Sequence, residues 1–200
     1  MNMADRESIG AVLDYWFGTL DHAGMPAPGR HRLWFGSDPE TDRTCTQRFG
    51  VTVAQAIAGD LDHWTWTDDG LVALIVLLDQ FTRNIFRGEP RAFSGDERAL
   101  QAALDCIDTG RDHQLPTIHR VFVYMPLEHS EDLSHQQRCV SLFGQLAAAS
   151  GNDRVADFYR YAVAHHDVIA RFDRFPHRNA ILGRRSTAEE IAYLAQHGGF

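Results

Sequence analysis

Eight consecutive apolar residues, Leu71 to Leu78, lie in a chain whose other apolar residues recur at three- and four-residue spacings almost throughout. Closed by Asp79, the run is far too short to span a membrane. As a helix it would be apolar on every side, so the segment from about Asp69 to Phe86 is expected at the centre of the fold. Before it, Ile9, Val12, Leu13, Trp16 and Phe17 make an amphipathic stripe that Gly18 ends. Residues 18–36 hold four glycines and two prolines and read as a long loop pinned by Trp34 and Phe35. Asp38-Pro39 pairs an N-cap with a proline at the first helical position, opening a helix on Cys45, Phe49, Val53 and Ile57.

After Gly88-Glu89-Pro90, residues Ser94 to Asp96 are expected to cap a fourth helix that Gly110 stops. A fifth runs from about Thr117 to Met125 and breaks at Pro126. Ser130 reads as the cap of a sixth, with Glu131 and Asp132 in its first turn. Asn152 opens a seventh reaching about Phe172, and Ser186 with Glu189 reads as a capping box for an eighth that ends at Gly198-Gly199. No segment alternates like a strand between hairpin turns, and no internal repeat shows. The expectation is one all-α domain over residues 1–200, with about eight or more helices in antiparallel pairs.

Charge and composition exclude several functions. The formal charge of -8 opposes a nucleic-acid or anionic-membrane partner. All 19 basic residues are arginines, so Schiff-base chemistry, a lysine base and the P-loop lysine are absent together. Three cysteines, Cys45, Cys106 and Cys139, lie far apart with no CxxC pair, which suits a reduced compartment. Asp5, Arg6 and Glu7 sit where a signal peptide would be apolar. A cytoplasmic protein is therefore expected.

Three segments carry more polar chemistry than helix building needs. In the first, Gln80, Arg83, Asn84 and Arg87 fall at i, i+3, i+4 and i+7, hence on one helical face. The second, Tyr124 to Asp132, places Glu128 and His129 just before the residues of a helix start. It carries no HExxH and no recognised metal spacing, so neither metal nor cofactor is expected. The third, Arg171 to Arg185, holds five arginines against one aspartate and carries +4. Forked arginine donors there suit carboxylate or phosphate. His165-His166-Asp167 resembles the His-Asp doublet of helical metal phosphohydrolases, but His166 falls on the stripe of Val155, Tyr159 and Ala162, where a hydrogen-bonded core histidine fits better. Trp64 and Trp66 could line a pocket or anchor the core, and Cys139 reads as inert packing.

Long motifs in these segments resemble one bacterial family, domain of unknown function 924. They are Val12-Leu13-Asp14-Tyr15-Trp16-Phe17-Gly18, then Leu78-Asp79-Gln80-Phe81 with Arg83-Asn84, then Met125 to Asp132. Arg174-Phe175-Pro176-His177-Arg178-Asn179, continued by Leu182-Gly183-Arg184 and Ser186 to Glu190, completes the likeness, which runs in the family's order over almost the whole chain. The resemblance implies a helical fold similar to the tetratricopeptide-repeat-like superfamily, and it implies no reaction or ligand. At Asp173 the family's pattern has glycine.

The leading expectation is a site for an anionic small molecule or acidic peptide group. Arg83, Arg87, Arg178 and Arg184 would donate charge-assisted hydrogen bonds, while Gln80, Asn84, Tyr124 and Asn179 orient the ligand. Glu128 and His129 would balance charge or move protons. In a hydrolase-type alternative, His129 or His177, oriented by Glu128, is the base. In a third reading the arginines are internal staples paired with carboxylates, and the chain is an interaction scaffold for a protein partner.

Overall fold

A computed structural model describes residues 3–199, except the side chains of Arg6 and Glu7, so those two charges of the N-terminal reading lie outside the described residues. Helix accounts for all the regular structure among the described residues; the one extended pairing is an isolated bridge between Leu20 and Pro26. The chain divides into two compact units. Unit one runs to Arg87 and resumes over Arg91–Pro126, and unit two comprises Gly88–Pro90 and the chain from Leu127 onward.

Unit one contains α1 (Met3–Trp16), α2 (Arg30–Phe35), α3 (Pro39–Ala58), α4 (Asp68–Ile75), α5 (Thr82–Ile85), α6 (Asp96–Asp108) and most of α7 (Thr117–Glu128). Asp38 caps α3 through the Glu40 N–H, with Pro39 in the first turn as expected. A π-helical segment, Val76–Phe81, joins α4 to α5 without a break. The expected central helix is thus present, and every residue from Gly70 to Thr82 is buried. Aromatic rings close around it: Trp16 meets Phe81 at 5.2 Å and Phe122 at 5.9 Å, and Phe49 meets Phe81 at 4.8 Å. Edge and tilted contacts of this kind suit the ring quadrupoles. Trp64 is buried, whereas Trp66 is exposed.

Three expectations change here. The loop of residues 18–36 contains the short α2, whose Trp34 donates its indole N–H to the Trp16 carbonyl at 2.9 Å, while Phe35 is exposed. Of the two aromatic residues, Trp34 is the buried one. The cap of α6 is Gly95 with no side-chain acceptor, because a Cβ there would collide with the Leu78 carbonyl oxygen. Helix α7 does not break at Pro126 but continues to Glu128. The carbonyls beyond that proline are capped by Gln136, whose amide donates to the carbonyls of Leu127, Glu128 and Ser130 at 3.3, 2.6 and 2.7 Å.

Unit two is built on α8 (Leu133–Ser150), α9 (Asp153–Phe172) and α10 (Ala188–His197). Gly151, at φ 57°, and the N-cap Asn152 turn α8 into α9. Phe143 stacks on Phe158 at 6.4 Å, so the two helices form an antiparallel hairpin. Two caps sit differently from the expectation. Asp132, not Ser130, caps α8, and Thr187 with Glu190, not Ser186 with Glu189, forms the capping box of α10. Backbone geometry selects one residue among adjacent acceptors of equal ability. Asp173 ends α9 in the left-handed region at φ 56°, and it is the one non-glycine residue there among those described.

Candidate functional site

The polar face expected on unit one separates into three sets of contacts. Its residues lie within or after the π-helical turn, which holds an extra residue and rotates the next side chains away from α-helical register. Gln80 turns inward, donating to Asp79 Oδ2 at 2.5 Å and toward the Met125 sulfur at 3.6 Å. Arg83 forks onto Asp96 at 2.9 and 3.1 Å, with Asp79 Oδ1 a further 3.3 Å from Nη1. Asn84 and Arg87 converge on Asp42 of α3, with Arg87 Nε 2.7 Å from Oδ2 and Asn84 Nδ2 2.9 Å from Oδ1. Burial would raise the Asp42 pKa, but these hydrogen bonds outweigh it and hold the carboxyl below its ordinary value. Tyr124 is wholly buried; its hydroxyl donates to Asp112 at 2.6 Å and accepts from Arg120 at 3.0 Å.

Unit two brings the remaining candidates together. Phe175 is fully buried at the centre. The imidazoles of His165 and His177 lie 5.5 and 5.6 Å from its ring, and the Arg178 guanidinium sits 4.4 Å from its centroid. His129 lies 6.3 Å from the His165 ring, and Arg178 donates to the His129 carbonyl at 3.0 Å. Buried Glu128 places Oε1 3.2 Å from His165 Nδ1, which also lies 2.8 Å from the Tyr161 carbonyl. The imidazole beside this carboxylate is therefore His165; the helical stripe favours its neighbour His166, which is half-buried and faces Asp167. Counting α9 as Phe158, Ala162, His165 and Ile169 finds the buried face that counting from Tyr159 misses.

Electrostatics make this cluster unusual. Burial drives the His165 pKa down, and His129, Arg178 and His177 push the same way. Burial and the Arg178 charge lower His177 to about 4 against the pull of Glu131. Both imidazoles are thus neutral at pH 7, able to donate and accept hydrogen bonds rather than act as fixed charges. Cys139, buried and near Glu128, has its thiol pushed well above the ordinary range, so it packs rather than reacts.

A polar frame holds the cluster. Arg184 forks onto Glu131 at 2.6 and 2.9 Å and also donates to the Phe175 carbonyl at 3.1 Å, while the Phe175 N–H donates to Glu131 at 2.7 Å. Asn179 has no exposed surface; its amide carbonyl accepts from Arg184 and its NH2 reaches Ser186 and Glu190. Glu190 in turn holds Arg174 at 2.6 and 2.9 Å and accepts from the Thr187 N–H, and the Arg174 hydrogen bonds draw its pKa down to about 2. Asn179 and Arg184 therefore support the turn that carries Phe175, His177 and Arg178. No group of three or more histidine, cysteine or acidic side chains among the described residues is placed to hold a metal ion.

Comparison with known proteins agrees with the helical fold. No curated protein matches the chain. A solved structure of a protein of unknown function from Agrobacterium tumefaciens is similar to it, with 34% identity, a TM-score of 0.79, and coverage of 96% of this chain and 98% of the other. The bacterial protein family of unknown function DUF924 matches residues 12–198. The chain belongs to that family.

Proposed function

We propose that the protein binds a small anionic group, a carboxylate or a phosphate, at the cluster formed by His129, His165, His177 and Arg178 in unit two. The observation that supports this reading is the convergence of two imidazoles, His165 and His177, and a guanidinium on one buried phenyl ring beside a buried carboxylate, with the His129 ring 6.3 Å from that of His165. Buried titratable groups gathered in one place, with pKa values displaced by burial and by each other, are a feature of functional sites. In this reading Arg178 supplies the charge-assisted donor, the imidazoles orient the ligand, and Glu128 with His165 moves protons. Asn179 and Arg184 act as supports, while Arg83 and Arg87 belong to ion pairs within unit one. Three buried cysteines, none of them in a disulfide, fit a reduced compartment, and in this reading the protein is cytoplasmic.

Thermal-shift titration with inorganic phosphate, acetate and citrate, each against potassium chloride of equal ionic strength, tests the reading. Binding to the folded state raises the melting temperature by mass action. The expected result is a rise with at least one anion that Arg178→Met and His129→Gln both remove. A shift that survives both variants, or none with any anion, overturns it.

A second reading, an interaction scaffold, is favoured by the carboxylates that hold Arg83, Arg87 and Arg184. It predicts that variants of these three lose stability without changing any anion response.

A further inference from the structure

The charges around Phe175 nearly cancel. Arg178 and Arg184 bring two positive charges, and Glu128 and Glu131 bring two negative ones, with Arg184 and Glu131 already paired at 2.6 Å. Arg174 and Glu190 add another matched pair behind the turn. With His165 and His177 neutral, these charges leave no excess with which to attract an anion. The cluster becomes an attractive site once an imidazole takes up a proton.

Of these two, His177 is the better placed to do so. It is half-buried rather than sealed, at the one-turn helix Pro176–Arg178 that carries Arg178. The charged and titratable groups that act on it are Arg178 on its own turn, Arg184 from the following loop, Glu131 before α8, and His129 just after α7, and it in turn acts on His165 of α9, which shares the Phe175 ring. From α10, which packs on this turn, come Glu190, committed to Arg174, and His197, whose ring lies tilted against Tyr193 at 4.6 Å. Burial and the neighbouring arginine keep His177 neutral, and an anion close by would offset that effect and favour the imidazolium.

Resting on the anion-site reading above, we infer that this cluster takes up its anion together with a proton on His177, so that acidification switches the site on. The proton comes from solvent and stays on the imidazole while the anion is bound. No bond of the ligand is made or broken. Affinity then rises as pH falls, by up to about tenfold per pH unit where one full proton is coupled.

Sulfate is the probe, because it does not titrate between pH 5 and 8 and any proton taken up belongs to the protein. Calorimetric titration of the whole chain with sulfate at pH 6, in two buffers of different ionisation enthalpy, gives the number of protons bound per anion. The expected result is an uptake of about half a proton to one proton, falling to less than half that value in His177→Gln. A second measurement needs no variant: on sulfate addition the imidazole nitrogen signals of His177 move from their neutral to their charged positions. Sulfate binding with no proton uptake and no change at His177 overturns the inference and leaves the anion site standing. Failure of sulfate, phosphate and acetate to bind anywhere from pH 5 to 8 removes both.

Discussion

The Arg184 guanidinium forks onto the Glu131 carboxylate, with Nη1 2.6 Å from Oε2 and Nη2 2.9 Å from Oε1. The same carboxylate accepts the Phe175 N–H, and the same guanidinium donates to the Phe175 carbonyl. One ion pair thus fixes both polar groups of the residue on which the histidines converge. Burial would raise the Glu131 pKa, but the Arg184 and Phe175 hydrogen bonds prevail and lower it. Glu131→Gln is expected to cost about 1–3 kcal/mol, the range for losing a charge-assisted contact and leaving a partner unmatched. Urea unfolding of Glu131→Gln, Arg184→Met and the double variant checks this. Additive losses in the double variant would show that the two side chains act independently.

At Asp173 a residue with a Cβ holds the left-handed conformation that ends α9, at φ 56°. Glycine adopts that conformation without strain, and the family resemblance points to glycine there. Asp173→Gly is expected to stabilise the fold by roughly 0.5–1 kcal/mol, and Asp173→Val to destabilise it. Melting curves of the two variants should move in opposite directions; movement in the same direction contradicts this reading of the turn.

One glycine at a helix start and another inside a helix should respond oppositely to the same substitution. Gly95→Ala would drive a Cβ into the Leu78 carbonyl oxygen, a backbone atom that cannot yield cheaply. A loss of about 2 kcal/mol or more is expected. Gly50 lies inside α3 with nothing within 4 Å of the position a methyl would take, so Gly50→Ala should gain about 0.5–1 kcal/mol. Denaturant midpoints measured side by side decide both.

Acid sensitivity follows from the buried imidazoles. His119 lies 4.6 Å from the Phe17 ring, and burial lowers its pKa to about 4, with Asp69 opposing. His177 is lowered similarly. Because the folded pKa lies below the unfolded value of about 6.5, the unfolded chain takes up protons first. Stability is therefore complete above about pH 6.5 and declines as the pH falls toward 4, by up to about 1.4 kcal/mol per unit for each such histidine. His119→Phe should flatten that decline in urea titrations run at pH 7, 6 and 5. An unchanged slope would show that the imidazole is not buried neutral.

How much of this is legible in the sequence depends on how local each determinant is. Asp38-Pro39, Asn152 and the run Leu71–Leu78 act through neighbouring residues, and the helices they start or centre are where the sequence places them. Ser130 and Ser186 mislead because an aspartate or threonine close by can accept the same N–H, and only backbone angles choose. Gln80, Arg83, Asn84 and Arg87 look like one face, but a π-helical turn takes Gln80 out of register, and Asp96 and Asp42 on different helices draw Arg83 and Arg87 apart. Glu131 and Arg184, separated by more than fifty residues, carry no local sign of their pairing. The three polar segments stand out in composition, but which members meet ligand and which hold the turn depends on those long-range pairs.

Nitrogen-detected imidazole spectra recorded during a phosphate titration at pH 6 report on the anion site itself. Saturable shifts are expected at His129, His165 and His177, with His63 and the exposed His113 unmoved, and loss of the shifts in Arg178→Met. Titration curves in which no imidazole responds, or in which all respond equally and without saturation, would contradict an anion site at this cluster.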